Sequence, residues 1–163
     1  MFPRVAFEYG HTSCAAFIRA ARKAGYGGNF YNVSFVGTQA LASELGGDAR
    51  GVVVSQVMPY PFSPQTALAG DYLAAGKAAE GSKGGAKFEP NYSSFEGFVA
   101  ARVLTEALRR PGATASSDGL IQALESLREL NLGGFFVDFS AQKHTGSRFV
   151  DMTILSADGK VRR

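Results

Sequence analysis

The chain has 163 residues, enough for one ordinary domain with a substantial core. An apolar content of 45% supports such a core, and the charged content of 19% lies below the roughly 25% usual for globular proteins. The formal net charge of +3 comes from basic residues spread along the chain, without a basic stripe. Nucleic-acid binding is therefore not expected, because it requires a concentrated basic surface.

Cysteine content and hydropathy argue against two further classes, disulfide-stabilised domains and membrane-spanning proteins. The single cysteine, Cys14, cannot form an internal disulfide. No apolar run approaches the length of a membrane-spanning helix, so none is predicted. The N-terminal residues lack the separate charged, apolar and cleavage regions of a signal peptide. Taken literally, this pattern predicts a chain that stays in the cytoplasm.

The first predicted elements are a short strand and a helix. The strand covers Arg4–Tyr9, and Thr12 or Ser13 is expected to cap the helix that follows. That helix runs over about Cys14–Ala24, and its core-facing residues are predicted to be Phe17, Ile18, Ala21 and Ala24. Basic residues near its end suit the helix dipole.

The stretch from Phe30 to Pro61 organises the rest of the chain. Its predicted elements are strand Phe30–Val36, helix Gln39–Leu45 and strand Gly51–Val57. Both strands are β-branched or aromatic at most positions, as expected of parallel strands covered on both faces. Pro59 and Pro61 cannot donate to a sheet, so the chain must leave the sheet after Met58.

The second part of the chain is mainly helical and ends in strands. Helices are predicted from Ser63-Pro64 to about Ala79, from a capping box of Ser93 and Glu96 to Pro111-Gly112, and from a cap at Ser117-Asp118. The apolar face of the middle helix is Phe95, Phe98, Val99, Val103 and Leu108. The predicted strands are Phe135–Phe139, Phe149–Leu155 and, after an Asp158-Gly159 turn, one at Val161. The order β-α-β-α-β-α-α-α-β-β predicts a parallel α/β part followed by an α+β part.

Residue patterns for catalysis and metal binding are weak. His11 and Cys14 lie three apart at a strand-to-helix turn, where a thiol can be activated. No base and orienting group are recognisable beside them, so a buried, apolar role for Cys14 is favoured. His144 is the only other histidine, which leaves too few ligands for zinc. The glycine-rich segment 80–87 lacks the GK[ST] ending of a phosphate loop. No catalytic residue, metal or cofactor is predicted.

Two positions are candidate ligand contacts. His11 follows the end of a predicted strand, where α/β sheets bind ligands. Ser34 lies near the end of the next strand, and the helix that starts at Gly37-Thr38 offers backbone N–H groups to a carboxylate. The alternatives remain open, namely a surface or capping role for His11 and a simple helix start at Gly37-Thr38.

Several runs of the sequence resemble a known family. They are CAAFIRAARKAGYGGNFYNVSFVGTQALASELG, GVVVSQVMPYP, YSSFEGFVAARVLTEALRR, GGFFVDFS, HTGSRFVDMTIL and DGKV. In this order they resemble the periplasmic solute-binding proteins of ABC importers of the branched-chain amino-acid (Leu/Ile/Val-binding-like) type. The resemblance covers almost the whole chain but only the C-terminal part of the family.

The resemblance implies part of a type I periplasmic-binding-protein fold, in which two α/β lobes joined by hinge crossings clamp a small solute. Residues 1–58 are expected to form part of the C-terminal lobe, and residues 59–149 part of the N-terminal lobe. Residues 150–163 are expected to cross back. The segment Pro59-Tyr60-Pro61 is similar to a hinge crossing.

The family's ligand contacts fall on particular positions of this chain. The first set matches Tyr9, Gly10 and His11, and the second matches Ser34, Phe35 and Val36, while Tyr60 and Phe95 correspond to the hinge region. Amino-acid-binding members carry an aromatic residue and a carboxylate where this chain has Gly10 and Ser34. That difference makes a carboxylate-bearing, aromatic solute as well matched as an amino acid.

The resemblance implies a binding protein without catalysis that delivers a solute to the membrane subunits of an ABC transporter. Its location in the full-length parent would be periplasmic, in conflict with the literal reading of the N-terminus. The alternative is a ligand-sensing regulatory domain of the same fold. Open sheet edges and the apolar face of Phe95, Phe98 and Val103 predict that the isolated chain forms a homo-oligomer.

Overall fold

The computed structural model describes residues 10–110 and 116–163. The helices are α1 His11–Lys23, α2 Thr38–Leu45, α3 Ala67–Glu80, α4 Tyr92–Leu108 and α5 Ser117–Glu125. The strands are β1 Phe30–Val33, β2 Val52–Gln56, β3 Leu130–Asn131, β4 Phe136–Val137, β5 Asp151–Leu155 and β6 Val161–Arg162. This mixture of helices with parallel and antiparallel strands confirms the predicted α/β class. The predicted strand Arg4–Tyr9 lies outside the described residues.

The chain divides into two compact units. In the described residues, the first unit comprises 10–57 and Val150–Arg163, and the second comprises Met58–Phe149. The chain therefore leaves the first unit after Val57 and re-enters it at Val150. The assignment of these units to the two lobes of a receptor stays a prediction.

A four-stranded sheet of order β1-β2-β5-β6 forms the centre of the first unit. β1 and β2 are parallel, with Phe30 opposite Val52, whereas β5 is antiparallel to β2 and β6. Helices α1 and α2 pack against one face of this sheet. The core between them contains Ile18, Leu41, Leu45, Val52, Val54 and Leu155, which are all buried. Amphipathic helices and Val-rich strands thus join through their apolar sides.

Strand β1 is shorter than predicted. It ends at Val33, and residues Ser34–Val36 form a 3₁₀ turn that leads to Gly37. Gly37 has φ +77°, a left-handed conformation that glycine adopts without a steric penalty. Within the described residues, the prediction of coverage on both faces is wrong for β1, because Tyr31 and Val33 are exposed, whereas no residue of β2 is exposed. Phe17 of α1 and Ala24, the C-cap residue of this helix, are also exposed, contrary to expectation.

The second unit contains α3, α4 and α5 with the short antiparallel hairpin β3-β4. Phe95 of α4 is fully buried and packs against Tyr72 of α3, with ring centroids 4.6 Å apart. Val99 and Val103 extend the same buried face, as the sequence predicted, whereas Leu108 is exposed. This burial removes the apolar face of Phe95 and Val103 as a reason for self-association.

The helix starts of the second unit differ from the predicted caps. Thr66, and not Ser63-Pro64, caps α3 by accepting a hydrogen bond from the backbone N–H of Ala69 at 3.1 Å. Asn91 caps α4 in place of the predicted Ser93–Glu96 capping box. Ser116 caps α5, one residue before the predicted Ser117. Each segment offered several capping residues, and tertiary packing selected among them.

None of the helices in the described part of the chain is long and apolar enough to cross a membrane.

Candidate functional site

The carboxyl ends of two parallel strands define one edge of the first unit. Because β1 and β2 are parallel, Val33 and Gln56 end their strands on the same side of the sheet. Parallel α/β sheets bind ligands outside this edge. The chain passes from β1 through the 3₁₀ turn to α2 there. The edge is therefore the candidate site.

The start of α1 lies beside β1 at this edge. The Cys14 thiol donates a hydrogen bond to the side-chain oxygen of Asn32, with Sγ and Oδ1 3.6 Å apart. The backbone N–H of Cys14 donates to the carbonyl of Gly10 at 2.9 Å, and the Ser13 hydroxyl donates to the same carbonyl at 3.2 Å. Gly10 is the N-cap residue and no side chain caps α1, contrary to the predicted Thr12 or Ser13 cap. The N-cap residue therefore supplies no side-chain acceptor to the first-turn N–H groups.

The start of α2 likewise has a glycine as its N-cap residue. Gly37 is this N-cap and, having no side chain, accepts no hydrogen bond from the first turn through one. The backbone N–H of Gly37 donates to the carbonyl of Ser34 at 3.2 Å, which fixes the 3₁₀ turn against the helix start. Neither α1 nor α2 has an acidic residue in its first turn. Two helix starts with positive dipole ends thus border this edge, an arrangement that favours an anionic ligand.

A buried polar cluster lies where β2 ends, and sequence reasoning missed it. The side-chain amide of Gln56 donates to the hydroxyls of Thr38 and Thr153, each at 2.9 Å. The Thr153 hydroxyl in turn donates to the carbonyl of Val54 at 3.1 Å. Gln56 joins the start of α2, the end of β2 and strand β5. Its signal in the sequence is one long polar residue that ends an otherwise apolar strand.

The side-chain oxygen of Gln56 is buried without a hydrogen-bond partner in the described structure. A buried acceptor left unsatisfied costs free energy, and buried water often supplies the missing donor. The amide nitrogen is fixed toward the two threonines because Thr153 uses its own hydrogen for the Val54 carbonyl. The Gln56 side-chain oxygen is therefore a buried acceptor without a described donor at the candidate edge.

The predicted contacts of the first unit fall into two groups. Gly10 and His11 start α1, and His11 is exposed. Ser34 and Phe35 form the 3₁₀ turn, where Phe35 is exposed. Val36 belongs to the same turn but is buried in the core, so its side chain serves packing. Tyr9 lies outside the described residues.

The two predicted contacts of the second unit belong to aromatic packing. Tyr60 is partly exposed and contacts Phe62, with ring centroids 5.0 Å apart. Phe62 contacts Tyr92 in turn, at 6.0 Å. Phe95 is 0% exposed, so its side chain presents no surface to a solute in this structure. Tyr60 is thus the more accessible of the two.

The resolved pKa shifts arise from surface hydrogen bonds and ion pairs. The Ser156 hydroxyl, with smaller effects of Lys160, lowers the pKa of Asp158 to about 2. The Lys143 ammonium, 2.9 Å from Asp138, lowers the pKa of that carboxyl. The hydrogen-bonded ion pair of Lys87 and Glu89 likewise raises the pKa of Lys87 and lowers the pKa of Glu89. These are the usual effects of neighbouring charges on exposed groups.

Residues 10–110 and 116–163 bring no three of the side chains His, Cys, Asp and Glu together in a group that could hold a metal ion. Cys14 is buried against Asn32. The arrangement at this edge offers backbone donors, hydroxyls and an aromatic side chain, which suit binding.

The chain matches the family model described as periplasmic binding protein over residues 5–160. The chain therefore belongs to the periplasmic binding protein family. No curated protein matches it significantly.

Solved structures of similar proteins agree with this assignment. A possible leucine/isoleucine/valine-binding protein from Rhodopirellula baltica is 28% identical, with a TM-score of 0.80 over 92% of this chain and 40% of that one. An extracellular ligand-binding receptor from Verminephrobacter eiseniae is 29% identical, with a TM-score of 0.76 over 92% of this chain and 41% of its own. A substrate-binding periplasmic protein from Ralstonia solanacearum is 30% identical, with a TM-score of 0.75 over 90% and 41% of the respective chains. These matches confirm the resemblance and the fold.

The chain spans about 40% of the length of these solved structures.

Proposed function

We propose that this chain is part of an extracytoplasmic receptor that binds a small solute and delivers it to the membrane subunits of an ABC transporter. Membership of the periplasmic binding protein family carries the proposal. The candidate edge supports it, because two uncapped helix starts and an exposed aromatic side chain provide for recognition and not for bond cleavage. The proposal includes the absence of enzymatic activity and a periplasmic location of the full-length protein.

The proposed ligand class is a solute with a carboxylate, either an amino acid or an aromatic acid. The N–H groups at the starts of α1 and α2 are suitable donors to a carboxylate. Phe35 is exposed beside Ser34 and can contact an apolar or aromatic group. His11 and Ser34 add polar side chains at the same edge. Gly10 and Val36 complete the proposed set in the first unit, with Val36 acting through packing. The contacts expected at Tyr60 and Phe95 of the second unit stay predictions.

A sensor domain of the same fold is the second candidate. The same edge would bind the ligand in a regulatory protein, because solute receptors and sensors share hinge closure as a mechanism. The partner distinguishes the two, since a receptor binds transporter subunits and a sensor binds a signalling protein.

An amide-resolved NMR titration tests the ligand site. The ¹⁵N-labelled chain is titrated separately with benzoate, L-valine and uncharged benzamide. We expect benzoate or valine to shift the amide signals of His11–Ser13 and Gly37-Thr38, with weak affinity, and benzamide to leave them unchanged. Signals that shift elsewhere, or an equal response to benzamide, would contradict recognition of a carboxylate at this edge.

A pair of histidine variants provides the matched control. His11→Ala removes an exposed side chain at the edge, whereas His144→Ala removes an exposed histidine of the second unit that pairs with Glu125. The first change is expected to weaken the carboxylate response several-fold, and the second to leave it unchanged. Equal behaviour of the two variants would count against His11 as a contact.

A further inference from the structure

A single buried side chain joins three separate segments of the first unit. Gln56 ends β2, Thr38 is the first residue of α2, and Thr153 lies in the middle of β5. The exposed fraction is 0% for Gln56 and 1% for each threonine. Because all three residues are buried, their hydrogen bonds are shielded from water, and a network of this kind holds its members in one arrangement.

The side-chain amide of Gln56 uses both of its N–H groups. It donates to the hydroxyls of Thr38 and Thr153, and the distance from nitrogen to oxygen is 2.9 Å in each case. The Thr153 hydroxyl donates its own hydrogen to the carbonyl of Val54, 3.1 Å away. Among uncharged side chains, only the amides of Gln and Asn offer two donors on one nitrogen. The chemistry of the amide, and not its volume alone, therefore links α2 to β5.

Stability alone does not account for an amide at this position. The side-chain oxygen of Gln56 is buried and has no hydrogen-bond partner in the described structure. An unsatisfied buried acceptor costs free energy, and an apolar side chain of similar size would avoid that cost. An apolar side chain would, however, form no hydrogen bond with the Thr38 hydroxyl. The amide is therefore suited to orienting the start of α2.

The start of α2 depends on an attachment outside its own segment. Its N-cap residue, Gly37, has φ +77° and no side chain that could accept from the first turn. Glycine adopts many backbone conformations at little steric cost, so the preceding chain fixes the helix start only weakly. The Thr38 hydroxyl follows directly, and its bond to Gln56 ties the first turn to the sheet. The N–H groups that we propose as carboxylate donors belong to this same turn.

We propose that Gln56 is a positioning residue for ligand binding, which orients the first turn of α2 through the Thr38 hydroxyl and is itself held by Thr153. This role rests on the proposed function, because the turn is the one assigned to the ligand's carboxylate. Gln56 lies just before the chain leaves the first unit after Val57, and Thr153 lies shortly after the chain re-enters it at Val150. The helix start is thus attached to both of these strands, and support of this kind keeps a binding group in its productive geometry.

Variants of Thr153 and Gln56 test the role by amide-resolved NMR titration with L-valine and with benzoate. Thr153→Val removes the hydroxyl and keeps the shape. Gln56→Glu keeps the shape, but a buried glutamic acid offers at most one donor. Both variants should raise the dissociation constant of the responding ligand several-fold. Thr153→Ser keeps the hydroxyl and should leave that constant unchanged, although loss of a buried methyl group lowers the free energy of unfolding.

Urea denaturation of the same variants separates positioning from packing. If Gln56 and Thr153 served packing alone, affinity would follow stability, and Thr153→Ser would weaken binding as Thr153→Val does. That result would overturn the proposal, and so would wild-type affinity in both Thr153→Val and Gln56→Glu, while the proposed function would stand. If neither ligand shifts any wild-type amide at the candidate edge, the proposed function fails and this role fails with it.

A measurement on the wild type keeps the test valid if a variant fails to fold. The two side-chain N–H signals of Gln56 are expected to exchange slowly with solvent, because the amide is buried and hydrogen-bonded. They should shift together with the backbone amide of Thr38 when the ligand is added. The side-chain N–H signals of exposed Gln142 are the internal reference and should not shift. A shift of the Thr38 amide without a shift of the Gln56 side chain would overturn the proposal.

Discussion

Asn91 shows how one side chain fixes the start of a helix. Its side-chain oxygen accepts a hydrogen bond from the backbone N–H of Ser94 at 2.8 Å, and its amide donates to the carbonyl of Glu89 at 3.0 Å. The sequence also fits a capping box two residues further on, with Ser93 as the cap. Local sequence therefore offered two starts, and the burial of Tyr92 and Phe95 selected the earlier one.

A pair of alanine variants distinguishes the two caps of α4. Asn91→Ala removes the acceptor for the Ser94 amide and is expected to lower the free energy of unfolding by about 1 kcal/mol. Ser93→Ala, at an exposed helical position, should change it by less than about 0.5 kcal/mol. Urea denaturation measures both. A larger loss for Ser93→Ala would instead support the capping box.

The hydrogen-bonded environment of Gln56 was not predicted from the sequence. Truncating it to alanine removes two buried hydrogen bonds and leaves a cavity between α2, β2 and β5. We expect Gln56→Ala to cost about 2–4 kcal/mol of unfolding free energy. The exposed Gln142→Ala serves as the control and should be nearly neutral. A neutral Gln56→Ala in urea denaturation would mean that the cluster contributes little to stability.

At the scale of elements, the turn between β5 and β6 depends on the ionised Asp158 carboxylate. This carboxylate accepts a hydrogen bond from the Ser156 hydroxyl and pairs with Lys160 at 3.2 Å and Arg162 at 3.5 Å. Its pKa falls from 3.8 to about 2. A carboxyl group whose pKa is lower in the folded chain than in the unfolded chain stabilises the fold at pH values above its unfolded pKa. That stabilisation is lost as the pH falls toward 2.

NMR titration of the Asp158 carboxyl checks this dependence. We expect a midpoint near pH 2 in the wild type and a higher one in Ser156→Ala, because the Ser156 hydroxyl is the largest cause of the shift. Asp158→Asn should be less stable than the wild type at pH 6, and the difference should shrink steadily as the pH falls through 2. A wild-type midpoint near 3.8 would refute the hydrogen-bonded turn.

At the candidate edge, a predicted strand is shortened by a 3₁₀ turn. The sequence predicts one long strand, Phe30–Val36, but the chain converts its last three residues into a 3₁₀ turn. In this 3₁₀ turn the side chain of Val36 is buried in the core, whereas Phe35 is exposed. Side-chain alternation within a strand cannot anticipate this arrangement, because it results from the packing of Val36 against the helices.

At the scale of the whole molecule, each of the two units has its own core. Leu41 is fully buried in the first, and Phe95 is fully buried in the second. Core truncations of Leu and Phe cost about 2–5 kcal/mol each. Each loss should act first on the amides of its own unit, because the chain divides into two compact units.

Hydrogen exchange followed by mass spectrometry tests this division. Leu41→Ala is expected to speed exchange in α2, β2 and β5, and Phe95→Ala in α3 and α4. Each variant is the control for the other. If either truncation speeds exchange equally across both units, the chain unfolds as a single cooperative body.

Apolar periodicity in the sequence predicted most helices and strands and the α/β class, because burial of apolar residues follows a helical or a strand period. The family runs also predict ligand contacts at Gly10, His11, Ser34 and Phe35, and these contacts stay a prediction. The helices and strands depend on residues close together in the chain, so local sequence determines them.

The tertiary structure decided the helix caps, the partners of Gln56 and the composition of each sheet face. Gln56 and Thr153 lie 97 residues apart, and Met152 joins Tyr31 on one face only because β5 pairs with β2. Contacts of this kind form when distant segments pack, and no single stretch of sequence contains them. The solvent exposure of each face likewise depends on which helices cover it, and this is a property of the folded chain.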